Sequence, residues 1–156
     1  MLTRNDPALI LLAPCSLLLG ALLQMVIARL CGARTKGIVA VVCSLPAVLA
    51  VASSIRAVQA GRAIEFNLLH WDRGFALTFH VDALSVLFAL MGSALGAIVL
   101  LYSIGYMAQD RAASRFYATM LLFIGGFIAL VMSANLLFFY LCWEVIGLCS
   151  FSLVGF

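Results

Sequence analysis

Charge is what this chain has least of. Only 10% of its 156 residues are Asp, Glu, Lys or Arg, where a soluble domain carries about 25%. With 66% hydrophobic residues and a mean hydropathy of +1.21, a water-covered globule is excluded and an integral membrane protein is implied. No basic stripe interleaved with aromatics is present, so a nucleic-acid partner has no support. No CxxC pair and no Cys/His ligand spacing occur among Cys15, Cys31, Cys43, Cys142 and Cys149. Those cysteines read as small buried hydrophobes, and no metal site is expected.

What is present is a set of long uncharged runs: Pro7 to Ala28, Gly37 to Ile55, Ala83 to Gln109, and Phe116 to Phe156 with one interruption. A transmembrane helix needs about 20 apolar residues. The last run is therefore two helices, broken at the polar turn Ser133-Ala134-Asn135. Five spans result, over 8–28, 37–55, 83–106, 115–133 and 136–156. Pro14 and Pro46 fall inside the first two, which membrane helices tolerate when neighbours satisfy the freed carbonyl. The ending at Phe156 without a polar flank suggests an N-terminal piece of a larger protein.

Orientation follows from the basic residues. The first connection holds Arg29, Arg34 and Lys36, and the third holds Arg111 and Arg115 beside Asp110. The second holds Arg56, Arg62 and Arg73, diluted by Glu65, Asp72 and Asp82. The positive-inside rule then places the first and third connections in the cytoplasm and the N-terminus outside, with a bacterial plasma membrane as the expected location. In the second connection, Ile64, Phe66 and Leu68 alternate with other residues, as do Phe75, Leu77, Phe79 and Val81. A glycine-containing turn lies between, so the segment reads as a short extracytoplasmic β-hairpin. The expected division is 1–58 for two N-terminal helices, 59–82 for the hairpin segment and 83–156 for three further helices.

The one interruption is Glu144, the only charge between Phe116 and Phe156. It lies eight residues past Leu136, about 12 Å along a helix, near the middle of a ~30 Å hydrocarbon layer. A carboxylate there costs roughly 2.5–3.5 kcal/mol on insertion scales. An ionisable group kept at that cost is a functional-site candidate by default. A carboxyl removed from water holds its proton more tightly, and a nearby cation reverses this. Moving a cation towards or away from such a group loads and unloads protons. No basic residue lies in this helix or the preceding one, so the counter-charge must come from another span or subunit. Gly147 shares the helix face at i+3 and leaves space beside the carboxylate, while Trp143 precedes it and is placed to wall the site. Two other readings stay open: a neutral glutamic acid that ties two helices together, and a sodium site, which would need further oxygen ligands.

Asp82 stands just before Ala83-Leu84-Ser85 and is explained as a helix cap, with proton exit or hairpin anchoring as its functional alternative. Arg115 starts the fourth span and reads as a positive-inside anchor. Tyr102 and Tyr106 read as interfacial belt residues. His70 and His80 lie in the hairpin, too far from the bilayer centre to relay protons to Glu144.

Several motifs carry a resemblance. Trp143-Glu144-Val145-Ile146-Gly147-Leu148-Cys149-Ser150-Phe151-Ser152-Leu153-Val154-Gly155-Phe156 resembles the W-E-x-x-G-L-C-S-[YF]-x-L-[IV]-G-F signature of antiporter-like subunits. These include the L subunit of NADH-quinone oxidoreductase (respiratory complex I, chain 5). Val81-Asp82-Ala83-Leu84-Ser85, Tyr102-Ser103-Ile104-Gly105-Tyr106-Met107, Arg115-Phe116 and Asn135-Leu136-Leu137 agree with the same family. The similarity covers roughly residues 64–156, and the first two spans agree in hydropathy alone.

The resemblance implies an all-α membrane subunit of about fourteen to sixteen helices, of which this chain would hold the first five. It implies proton translocation driven by quinone reduction elsewhere in the complex. The glutamate matching Glu144 would pair with a lysine on a later, broken helix, carried by the missing C-terminal part. Asp82, Arg115, Trp143 and Gly147 would support it. NADH, FMN, iron–sulfur clusters and quinone would bind partner membrane and peripheral subunits, with no cofactor on this chain. Large subunits of sodium/proton antiporters and membrane-bound hydrogenases are similar to the same motifs. A structural membrane scaffold is the remaining alternative.

Overall fold

The computed structural model describes residues 7–27, 32–59, 64–71, 75–110 and 112–156. Arg4, Arg29, Arg62, Arg73 and Arg111, on which the orientation argument draws, lie outside them, as do Cys31 and the expected turn at Asp72-Arg73-Gly74. The chain is mostly helical. In order it forms α1 (Pro7–Ile27), α2 (Ala33–Gln59), β1 (Ile64–Trp71), β2 (Phe75–Val81), α3 (Ala83–Tyr106), α4 (Ala113–Val131) and α5 (Leu136–Val154). Four of the helices, α2 through its Ala33–Ile55 part, α3, α4 and α5, are long and apolar enough to cross a membrane. The described part of α1 adds a shorter apolar helix, Leu11–Ile27.

Hydrocarbon offers no hydrogen-bond partners, so each segment must satisfy its own backbone. Several serines along these helices follow the same rule. Ser44 donates to the Val41 carbonyl at 2.8 Å, Ser54 to Ala50 at 3.0 Å, Ser93 to Leu90 at 3.1 Å and Ser103 to Val99 at 2.7 Å. Each folds back onto its own helix, the usual way to bury a hydroxyl without a partner helix. Pro14 and Pro46 sit inside α1 and α2.

One boundary differs from the sequence expectation in a way that matters. Helix α2 starts at Ala33 rather than at residue 37 and continues to Gln59. An uncharged run stops at a charge, whereas a helix stops only when its backbone does. Arg34 and Lys36 therefore belong to α2's first turns and not to a loop.

Helix α4 is the centre of the body. Its Tyr117, Leu121 and Ile128 are fully buried, together with Leu17 of α1, Val51 of α2 and Leu100 of α3. Close approach depends on small residues, as in membrane bundles generally. A Cβ on Gly20 would lie 2.7 Å from the Cβ of Cys43, so α1 and α2 touch almost backbone to backbone there. Helix α5 is attached more thinly. Only Cys142 and Cys149 are buried along its length.

The strands pair antiparallel, with Glu65 opposite His80 and Phe66 opposite Phe79, and a register shift between Asn67 and Leu69. A His80–Glu65 contact of 2.6 Å joins them across the outer face. The sheet is fastened to the α4–α5 turn. The His80 amide donates to the Met132 carbonyl at 2.8 Å, and the Ala134 amide donates to Thr78 at 2.9 Å. The Phe79 ring meets Phe138 of α5 edge-on at 5.0 Å. The sheet, the start of α3, the end of α4 and the start of α5 thus share one end of the bundle. The end of α1, the starts of α2 and α4 and the end of α3 share the opposite end.

Candidate functional site: a carboxylate on the outer face of helix 5

Helix α5 begins at Asn135, whose side-chain oxygen accepts from the Leu137 amide at 2.9 Å. This is an ordinary N-cap, and it fixes where the helix starts. Glu144 follows halfway along, about 12 Å from the first residue. Its place along the helix agrees with the sequence; its surroundings do not. Cys142, Val145, Ile146 and Cys149 form the stripe turned towards α4, where Val145 and Ile146 approach Gly126. At 100° per residue Glu144 lies outside that stripe. It is exposed on the outer face of α5, not buried among the five helices.

The neighbours on that face are now definable. The Tyr140 hydroxyl, one turn earlier, approaches the Glu144 carboxyl. Trp143 is 60% exposed and stacks on Phe139 at 6.3 Å, beside the glutamate rather than walling it in. Gly147 is open: a Cβ there would meet nothing within 4 Å. Phe151, 80% exposed, lies further along the helix. The expected space beside the carboxylate exists, but as part of an uncovered helix face. Among the described residues no ion pair includes Glu144.

The other sequence candidates do not gather here. Asp82 caps α3 at the hairpin end. Its carboxylate accepts from the Ser85 amide at 2.8 Å and the Ser85 hydroxyl at 2.5 Å, and the Ser85 hydroxyl also reaches back to the Asp82 amide at 3.4 Å. This capping box holds the Asp82 carboxyl below its ordinary range, chiefly through the Ser85 hydroxyl and then the Ser85 amide. Arg115 lies at the opposite end of the bundle, its guanidinium 5.2 Å from the centre of the Phe156 ring. Trp143, Glu144 and Gly147 share one helix; Asp82 and Arg115 stand at opposite ends of the body. Among the described residues no group of three His, Cys, Asp or Glu side chains lies close enough to hold a metal ion. Tyr102 and Tyr106 are 76% and 77% exposed.

A polar cluster that the sequence did not reveal lies at the end away from the hairpin. Gln24 of α1 is fully buried, and its amide nitrogen donates to the Lys36 carbonyl at 2.7 Å. Lys36 itself is only 6% exposed. Beside them the Tyr117 hydroxyl, fully buried, donates to the Ser103 carbonyl at 2.9 Å. A Cβ on Gly37 would lie 2.7 Å from that hydroxyl. A loop assignment hid Lys36, and with Gly32 and Gly37 flanking Ala33–Lys36 the sequence carried no clear helix signal there.

Comparison with known proteins agrees with this architecture. The family "NADH-Ubiquinone oxidoreductase (complex I), chain 5 N-terminus" matches residues 72–117, from the residue after β1 into α4. An Na(+)/H(+) antiporter subunit A1 of Staphylococcus haemolyticus is 37% identical over 106 residues, covering 67% of this chain and 13% of the relative. The chloroplastic NAD(P)H-quinone oxidoreductase subunit 5 of Adiantum capillus-veneris is 44% identical over 78 residues, covering 50% of this chain and 11% of the relative. The chain thus spans only a small part of the length of these relatives. A chain of the membrane-bound sulfane sulfur reductase, an archaeal respiratory membrane complex, superposes with a TM-score of 0.76 over 95% of this chain and 22% of its own, at 24% identity, a likeness of fold. The chain is thus similar to the N-terminal region of complex I chain 5 and to antiporter-family membrane subunits.

Proposed function

We propose that this chain forms the N-terminal part of a proton-translocating subunit of the NADH-quinone oxidoreductase L type, with Glu144 as a protonatable relay group. The observation that carries the reading is a single carboxylate halfway along a helix of membrane-spanning length, on an uncovered helix face. A charge there is costly unless another element brings a compensating group. The open face around Gly147 is where such an element would pack. A cation approaching Glu144 favours the carboxylate and its withdrawal favours the acid, which is the elementary step of proton carriage. The counter-charge would come from a lysine on a later helix of the full-length subunit. Quinone, NADH, FMN and iron–sulfur chemistry would belong to partner subunits. In the preferred orientation the Arg34, Lys36 and Arg115 end faces the cytoplasm and the hairpin lies outside.

The second reading is the large subunit of a multi-subunit sodium/proton antiporter, favoured by the antiporter relative that aligns over more of this chain than the quinone-oxidoreductase relative does. Neighbouring genes separate the two: quinone-site subunits favour the first and small antiporter subunits the second. The experiment is Glu144→Gln in the full-length protein. Proton translocation should fall at least tenfold while the assembled complex is retained, and Glu144→Asp should keep partial activity. Normal pumping by Glu144→Gln would remove the relay role.

A further inference from the structure

We propose that the groove between α1 and α4 is a binding site for one anionic phospholipid, with its headgroup at Arg115 and an acyl chain running along α4. The inference rests on the chain being a membrane protein and is independent of any role for Glu144.

Two cavities lie on the same side of the α1–α4 seam. The first, about 410 Å³, is bounded by Met25 and Ala21 of α1 and by Ser114, Arg115, Thr119 and Leu122 of α4. The second, about 340 Å³, continues from Leu122 towards Ala129 and is lined only by apolar, glycine, proline and cysteine residues of α1, α4, α5 and β2. Leu122 borders both. Their α1 and α4 members recur every three or four residues, so the two cavities follow one helix face. From Arg115 to Ala129 the groove runs about 21 Å along α4. That is most of the way through a ~30 Å hydrocarbon layer.

The groove is amphipathic in the sense a phospholipid is. Its polar residues are confined to the end where the helices leave the membrane. Arg115 is exposed there, stacked over Phe156 but without a carboxylate among the described residues. A ring face leaves the guanidinium N–H donors free, and these match phosphate oxygens in a bidentate fashion. Ser114 is 8% exposed, and its hydroxyl has no hydrogen-bond partner among the described residues. A buried, unpaired hydroxyl is uncommon and points to a ligand or a missing partner at that spot. Arg34 and Lys36 share this end of the bundle, and the carboxylate of Asp110 is engaged with the Ala112 amide at 2.7 Å. Basic pockets between helices at the membrane surface are the general form of anionic headgroup sites. An apolar helix from elsewhere in the protein would fill the lower groove equally well but would leave Arg115 and Ser114 without partners, which favours the lipid.

The test uses the full-length protein in nanodiscs doped with a photoactivatable phosphatidylglycerol or, separately, a photoactivatable phosphatidylcholine, followed by mapping of labelled peptides. Peptides containing Ala21–Met25 and Arg115–Leu122 should be labelled ~5-fold more by the phosphatidylglycerol probe, the ratio expected for one basic residue at the surface. Arg115→Gln should bring that ratio close to one, and Arg115→Lys should keep most of it. Thr119→Phe, which plugs the groove below the headgroup, should abolish labelling by both probes, and it decides the matter if Arg115→Gln fails to accumulate. Equal labelling by both probes in the wild type would overturn the proposal, as would absence of label from both peptides because protein fills the groove. Loss of the preference on adding inorganic phosphate alone would assign the headgroup end to a free anion and would also overturn it.

Discussion

Replacing Gly37 with alanine puts one methyl group into the tightest polar contact of the bundle. The new Cβ would stand 2.7 Å from the Tyr117 hydroxyl, 2.8 Å from Ile104 Cγ1 and 3.0 Å from Tyr117 Cζ. Ile104 Cγ1 is bonded to a β-branched Cβ and can yield little, and Tyr117 is fully buried and tethered to Ser103. The ring must therefore shift and give up its hydrogen bond, or α2 must back away from α4. Overpacking of this kind costs about 1–3 kcal/mol. The lost hydrogen bond adds about 1 kcal/mol. Against these, alanine gains about 1 kcal/mol over glycine in a helix. The balance is a destabilisation of about 1–3 kcal/mol.

The informative experiment is a double-mutant cycle with Tyr117→Phe, read by equilibrium unfolding of the full-length protein in mixed micelles under increasing SDS. Tyr117→Phe alone should cost about 1 kcal/mol, because the Ser103 carbonyl keeps the Met107 amide as a partner at 2.8 Å. With the hydroxyl gone, the closest clash goes too, so the double variant should be more stable than the sum of the two single losses by at least about 0.5 kcal/mol. Strict additivity, or a neutral Gly37→Ala, would refute the argument that the α2–α4 approach is limited by this hydroxyl.

Asp82→Ala removes the capping box of α3 and should cost about 1 kcal/mol, with Asp82→Asn costing less because it keeps an acceptor. The Asp82 carboxyl is held below its ordinary range by Ser85, so its contribution is complete above the unfolded-state value of about 4 and fades as pH falls through the lower folded value. The gap between wild type and Asp82→Ala, followed by thermal unfolding, should therefore be constant at neutral pH and shrink below about pH 4; a gap that widens on acidification contradicts the assignment. Phe79→Ala should cost about 3–5 kcal/mol and speed hydrogen exchange at the His80 and Ala134 amides, and unchanged exchange there would show that the strand is held to the α4–α5 turn without this ring.

The helices were legible because a membrane leaves a coarse mark: some twenty residues without charge, ended by a charge or a polar turn. Ser133-Ala134-Asn135 was readable for that reason, and Asp82 as a cap because Ser85 follows at the required spacing. The place of Glu144 along α5 was legible too, since that is a count along one helix. Its facing was not. That depends on which stripe of α5 meets α4, and with apolar residues all round the helix the periodicity carries no preference. The choice fell to Cys142, Val145, Ile146 and Cys149 against Gly126, a match of shapes between two helices. Lys36 was misplaced because charge was taken as the end of a helix, while the partner of its carbonyl is Gln24, twelve residues away.

The two main-chain bonds between the hairpin strand and the residues before Asn135 set an order of events for biogenesis. The turn that launches α5 cannot settle into place until the segment 64–81 is already on the same side of the bilayer, folded and waiting. A ribosome still feeding out residues 132–136 would thus find its docking edge built from sequence translated some fifty residues earlier, and delaying export of that edge would leave the glutamate-bearing helix without a fixed starting height in the membrane.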